Sequence, residues 1–154
     1  MMKARKVVTR SGRGFRGYFP SKKLNRLVEF ESILERDAIK LFENSNEVIE
    51  YREQPTIVYY YIEGEQRKYY PDFELILESD QVVHVEVKPI LKLTEPGNSL
   101  KYQAINEHYF SRPEYFVVFT ETQIRLSNST DFYALINNDN LQNDKGGNHA
   151  TFLL

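Results

Sequence analysis

The run Val82-Val83-His84-Val85-Glu86-Val87-Lys88 most narrows what this chain can become. Val83, Val85 and Val87 alternate with polar residues at the two-residue period of a β-strand, so Glu86 and Lys88 point the same way and His84 shares their face. Valines on the opposite face predict a central strand, where a charged pair is costly unless it is used. The bland alternative is a solvated strand face with cross-strand pairs of about 0.2–1 kcal/mol each. Thirteen residues separate Pro71-Asp72 from Glu86. An aspartate after proline at the start of a strand can face a cleft, although Pro-Asp is also a common turn dipeptide. If a strand carrying Asp72 pairs with the strand carrying Glu86, two carboxylates and a lysine meet. The carboxylates repel unless a cation lies between them or one is driven toward protonation. The cation is the simpler account. Acid, acid and lysine around a divalent ion and a water suit phosphodiester hydrolysis. Lys88 either deprotonates the water or stabilises charge on the phosphate, and the spacing does not choose between them.

Composition bounds the rest. The 154 residues, 41% hydrophobic, suffice for one domain with a core and its tails. There is no cysteine, so disulfides and thiolate zinc sites are excluded, and only His84, His108 and His149 offer nitrogen ligands. Oxygen-ligated Mg²⁺ fits better, with Mn²⁺ as a substitute. No apolar run reaches the roughly 20 residues of a membrane helix, and the basic first residues do not read as a secretory leader. A soluble protein of the cytoplasm, bacterial or phage-infected, is expected. The net charge of −2 hides nine basic and no acidic side chains within residues 1–28. A basic arm interleaved with Phe15, Tyr18 and Phe19 suits a phosphate backbone, since neutralised phosphates release counterions. A solubilising tail is the competing reading. Arg10, Arg13, Arg16, Lys22 and Lys23 are the candidate double-stranded DNA contacts, joined by Lys101.

The expected organisation is a flexible basic arm over residues 1–20, a catalytic domain over 21–126 and a polar tail over 127–154. Gly12, Gly14 and Gly17 loosen the arm up to Pro20. Phe30, Leu34, Ala38, Leu41 and Phe42 predict an amphipathic helix from about Asn25 to Glu43, ended by Asn44 to Asn46. Val48–Tyr51, Thr56–Ile62 and Tyr69–Leu77 read as strands, with a hairpin across Gly64. Pro89 ends the Val82–Lys88 strand. Ser99–Phe110 predicts a second helix whose first turn carries Lys101, Tyr102 and Gln103. Tyr115–Thr120, continuously apolar, predicts a strand buried on both faces and parallel to a neighbour, with that helix as the crossover.

A third acid should come from the first helix. Glu31 and Glu35 stack at i and i+4, and Glu35 borders the apolar face. An ordinary boundary glutamate paired with a neighbouring cation is the better account from these residues alone. His84 is at most a supporting group. Tyr59–Tyr61 and Tyr69–Tyr70 could stack on bases, but core and cross-strand pairing explains them better.

Taken in order, several stretches resemble one family. They are Glu31-Ser32-Ile33-Leu34-Glu35-Arg36-Asp37, Tyr51-Arg52-Glu53-Gln54-Pro55, Tyr70-Pro71-Asp72-Phe73, Val85-Glu86-Val87-Lys88-Pro89 and Phe116-Val117-Val118-Phe119-Thr120. Together they are similar to the catalytic domain of the TnsA-type transposon endonucleases, a branch of the restriction-endonuclease-like PD-(D/E)xK nucleases. The resemblance implies an α/β fold with a mixed sheet flanked by helices. It implies Glu35, Asp72 and Glu86 as the acidic set with the Val87 backbone carbonyl as a further metal ligand, and Lys88 as the lysine. It also implies cleavage at the 5′ ends of a transposon beside a TnsB-like transposase and a TnsC-like ATPase regulator. Members usually carry a further C-terminal winged-helix-like domain, for which residues 126–154 are too few. A stand-alone phage, junction-resolving or repair nuclease and a non-catalytic DNA-binding assembly module are the alternatives; a homo-oligomer stays open. The intact acids and lysine speak against the module.

Overall fold

The computed structural model describes residues 15–126 and 131–137. Arg10 and Arg13 of the expected arm, and most of the expected tail, lie outside them. The elements are β1 (Gly17–Ser21), β2 (Arg26–Phe30), α1 (Ile33–Asn44), β3 (Val48–Glu53), β4 (Val58–Ile62), β5 (Glu65–Tyr69), β6 (Phe73–Leu77) and β7 (Val82–Val87). After them come α2 (Ile90–Leu93), α3 (Pro96–Tyr109), β8 (Tyr115–Phe119), a π-helical turn (Thr122–Leu126) and α4 (Phe132–Asn137).

A mixed four-stranded sheet in the order β3-β6-β7-β8 forms the centre, antiparallel except for the parallel β7–β8 pair. A parallel pair needs a long crossover, and α3 supplies it. Alternation along β6 and β7 sorts side chains onto two faces. Phe73, Leu75, Leu77, Val83, Val85 and Val87 pack on one side with Val28, Phe30, α1 and α4. Phe116 and Val118 pack on the other with Tyr102, Ile105 and Tyr109 of α3 and with Val58, Tyr60 and Tyr69 of the β4–β5 hairpin. Both faces of β7 are therefore covered, so His84 and Glu86 are buried beside the valines. The expected α/β sheet with flanking helices, the hairpin across Gly64 and the parallel closing strand are present. Glu63 and Gly64, at φ 51° and 77°, make the two-residue turn whose positive φ values match strand twist.

The strand expected over Tyr69–Leu77 is interrupted between Tyr69 and Phe73, the second helix begins at Pro96 rather than Ser99, and two larger differences concern the ends of the domain. Residues 17–30, expected as the end of a flexible arm and the start of a helix, form the β1–β2 hairpin instead. Val28 and Phe30 are buried while Leu27 is exposed, a two-residue alternation that outweighs the helical spacing beginning at Phe30. Gly17 serves close packing rather than flexibility, because a Cβ there would lie 2.5 Å from the tip of the Phe30 ring. The start of the expected polar tail also belongs to the fold. Phe132, Leu135 and Ile136 of α4 are buried in the core, with the Phe132 ring 5.9 Å from that of Phe119. Among the described residues no helix is long and apolar enough to cross a membrane.

Candidate active site

Asp72 lies in the three-residue step between β5 and β6, where the chain leaves the hairpin and enters the central sheet. Pro71 has no N–H to offer a ladder, and pairing begins at Phe73. The register pairs Phe73 with Val85 and Glu74 with His84. Asp72 stands one residue beyond the end of this ladder, next to the strand that carries Glu86. Asp72 Oδ2 accepts the Val87 N–H at 2.8 Å, and the Asp72 carbonyl accepts from Gln54 N at 2.8 Å. The motif's two halves are thus joined by backbone as well as by side chains. Part of Asp72 still reaches solvent, but its carboxyl is enclosed by protein. Burial, then the charges of Glu86 and Glu35, push its pKa well above the usual carboxylate range.

Glu86, only 6% exposed, is gripped by two phenols. Tyr69 donates to Oε2 at 2.7 Å and Tyr102 donates to Oε1 at 2.8 Å. Burial and the Glu86 charge raise the pKa of both tyrosines, which keeps them protonated donors. Lys88 Nζ stands 3.7 Å from Glu86 Oε1, and the Lys88 N–H donates to the Phe119 carbonyl at 2.9 Å, fixing it at the end of the parallel pair. Lys101 Nζ lies 5.7 Å and 5.4 Å from the ring centres of Tyr69 and Tyr102, within cation–π range.

Glu35 reaches the same region from α1. Ser32 caps the helix by accepting the Glu35 N–H at 3.1 Å, while Glu35 Oε2 reaches back to accept the Glu31 N–H at 2.8 Å. This Ser-x-x-Glu arrangement is a variant of the capping box, displaced by one residue on the return bond. Burial first, then Glu31 and Glu86, raises the Glu35 carboxyl. A cleft of about 10 Å³, roughly room for one water, opens among Glu29, Glu31, Glu35, Glu53 and Asp72. The Glu53 carboxylate is bridged by both terminal nitrogens of Arg26, at 3.1 Å and 2.9 Å, which ties β2 to β3.

The four residues expected to carry the chemistry therefore lie together: Glu35 and Glu86 both act on the charge of Asp72, and Lys88 faces Glu86. Their carboxylate oxygens are of the kind that could hold a hard divalent cation. Yet among the described residues no three acid or histidine side chains stand as a ready-made ligand group. Both Glu86 oxygens face tyrosines, and Asp72 faces an amide. Val87 meets Asp72 through its N–H.

The expected DNA contacts divide. Arg16 lies beside the cleft, its guanidinium 3.9 Å from Glu31 Oε1. Lys23 does not serve as a free surface cation. Its three N–H donors go to the carbonyls of Phe42, Ser45 and Val48, at 2.9, 2.7 and 2.6 Å, and so close the C-terminus of α1. Lys22 sits at that same end, its N–H on Glu43, about 12 Å along the helix from Glu35. His84 is a satisfied buried residue: Nε2 meets Glu74 at 2.8 Å and Nδ1 meets the Tyr109 hydroxyl at 2.6 Å. The hydrogen bond to His84, with burial opposing it and Arg52 assisting, holds Glu74 below the usual carboxylate range. Tyr69 and Tyr102 are the participants that sequence reasoning misses. The available signal is that a buried glutamate must find donors; which donors, only the fold decides.

A sheet end with acids and a lysine, fed by a helix-borne glutamate, describes a nuclease of the restriction-endonuclease-like class. The chain belongs to the TnsA-like endonuclease family: the family model for the TnsA-like endonuclease N-terminal domain matches residues 45–121. Asp72, Glu86 and Lys88 fall inside that match, and Glu35 lies ahead of it. No curated protein matches the chain.

Proposed function

We propose that the protein hydrolyses DNA phosphodiesters with Mg²⁺, or Mn²⁺ in its place, and acts at the 5′ ends of a transposon beside a TnsB-like transposase and a TnsC-like ATPase regulator. The observation that carries this reading is the 2.8 Å hydrogen bond from the Val87 N–H to Asp72 Oδ2, which brings Asp72 beside Glu86, with Lys88 3.7 Å from Glu86 Oε1. Asp72 and Glu86 would hold the ion, with Glu35 and the Val87 carbonyl beside them. When bound, the ion supplies a Lewis acid for the phosphate oxygens and a more acidic water.

The protein's own groups do the remaining work. The Val87 amide orients Asp72, and the tyrosine hydroxyls orient Glu86. Lys88, part-exposed at the strand end, donates to a non-bridging phosphate oxygen and offsets the charge that grows there. Glu35 adds the negative charge that makes a cation necessary. Arg16 and Lys101 flank these acids and receive the neighbouring phosphates, with Arg10 and Arg13 as further contacts from the preceding segment.

The test is cleavage of supercoiled plasmid with Mg²⁺ or Mn²⁺, with and without the cognate transposase, beside Asp72→Ala and Lys88→Ala. Both substitutions should abolish nicking while leaving the fold intact by circular dichroism. Cutting that survives both would sink the assignment.

A further inference from the structure

Tyr69 and Tyr102 come from elements outside the central sheet, β5 and α3, yet their hydroxyls converge on opposite oxygens of one carboxylate. The rings alone would need no hydroxyls. Tyr69 packs edge-on against Phe116 at 5.8 Å, and Tyr102 stacks on the same ring at 6.5 Å. Phenylalanine would fill both positions. Two oxygens buried among aromatic rings require partners, and both take Glu86.

We infer that Tyr69 and Tyr102 are positioning residues for metal capture: together they fix the plane of the Glu86 carboxylate and leave its remaining lone pairs to the ion. This rests on the function proposed above. Each carboxylate oxygen accepts two hydrogen bonds or ligands, so one phenol per oxygen leaves one place on each. Ligating carboxylates are ordinarily hydrogen-bonded in turn, and loss of such a partner costs about 10- to 100-fold in metal affinity. The rings that hold the hydroxyls are themselves fixed, by Phe116 on one side and by Lys101 over both. Asp72 has the equivalent support in the Val87 N–H and Glu35 in the Glu31 N–H. Each acid thus has its own donor, and that of Glu86 is a pair of phenols.

Mn²⁺ binding to the purified full chain, followed by electron paramagnetic resonance at pH 7.5, tests this with Tyr69→Phe, Tyr102→Phe, the double variant and Asp72→Ala. The phenylalanine variants should stay folded and bind Mn²⁺ about 10- to 100-fold more weakly. The Mg²⁺ concentration for half-maximal plasmid nicking should rise by the same factor, with the KM for DNA unchanged, a split that simple loosening of the fold would not give. A folded double variant with wild-type Mn²⁺ affinity overturns the inference while the proposed function stands. Mn²⁺ affinity that Asp72→Ala also leaves unchanged overturns the metal site itself, and both readings with it. Should the double variant fail to fold, Tyr102→Phe alone decides on the same two measurements.

Discussion

Replacing Asp72 with asparagine should make the protein more stable in the absence of metal, and the gain should disappear in acid. The amide side chain keeps an oxygen for the Val87 N–H, which Asp72 now receives at 2.8 Å, but it removes one charge from an enclosed set that includes Glu86 and Glu35. Two unit charges about 5 Å apart at an effective dielectric near 20 repel by about 3 kcal/mol. Lys88, 3.7 Å from Glu86 Oε1, offsets part of this. A net gain of about 1–3 kcal/mol follows, at about 2–4 °C of melting temperature per kcal/mol for a chain of this size. The pH dependence has a definite sign. The folded-state pKa of Asp72 is raised by burial first and by its acidic neighbours next. Its contribution is therefore favourable while the group is protonated, and is lost as pH rises through the folded value. The gap between variant and wild type should accordingly be widest at pH 8 and close as the solution is acidified through that value. On the proposed function metal narrows the gap: an ion bound to the native state at ten times its Kd would add about 1.4 kcal/mol to the wild type and little to the variant. Thermal melts at pH 5 and pH 8, in EDTA and in 10 mM Mg²⁺, measure all four corners. Equal stability of the two proteins at pH 8 in EDTA would refute the charge reasoning.

Three further outcomes follow from the packing. Phe42→Ala empties the meeting point of Tyr51, Phe73 and Phe132, whose rings lie 5.8, 5.4 and 6.3 Å away, and should cost about 3–5 kcal/mol in chemical denaturation. Lys23→Met removes three charged hydrogen bonds from the end of α1 and should cost about 1.5–3 kcal/mol in the same assay, without altering nicking by the folded protein. Gly17→Ala drives a methyl into the buried Phe30 ring and should destabilise by about 1–3 kcal/mol, a loss that Phe30→Leu partly restores when combined with it.

Much of the central sheet is legible in the sequence because its signals are local. The valine alternation of β7, the Glu63-Gly64 turn and the continuous apolar run of β8 each report a nearest-neighbour preference that burial then rewards. The β1–β2 hairpin is less legible. Phe30 serves both a strand period through Val28 and a helix period through Leu34, and the choice depends on whether Gly17 can approach the Phe30 ring. α4 is obscured by the asparagines around it, although Phe132, Leu135 and Ile136 carry a helical spacing that the core accepts. At the candidate site, Asp72, Glu86 and Lys88 follow from strand pairing alone. Glu35 needs the family resemblance, because a glutamate at a helix border usually pairs with a cation. Tyr69 and Tyr102 lie 17 and 16 residues from Glu86, and no local pattern reports such a meeting.

The hydrogen bond that Glu35 accepts from the Glu31 N–H, just ahead of α1, ties an acid of the candidate site to the way a helix begins. Evolution cannot vary position 35 for chemistry without also varying how the helix begins. An alanine there would confuse the two roles in any inactivation experiment. Glutamine can still accept the Glu31 N–H while carrying no charge, so it alone separates them. In diverged sequences that have lost cleavage but kept the fold, this position should therefore drift toward glutamine, serine or aspartate before it drifts toward anything apolar.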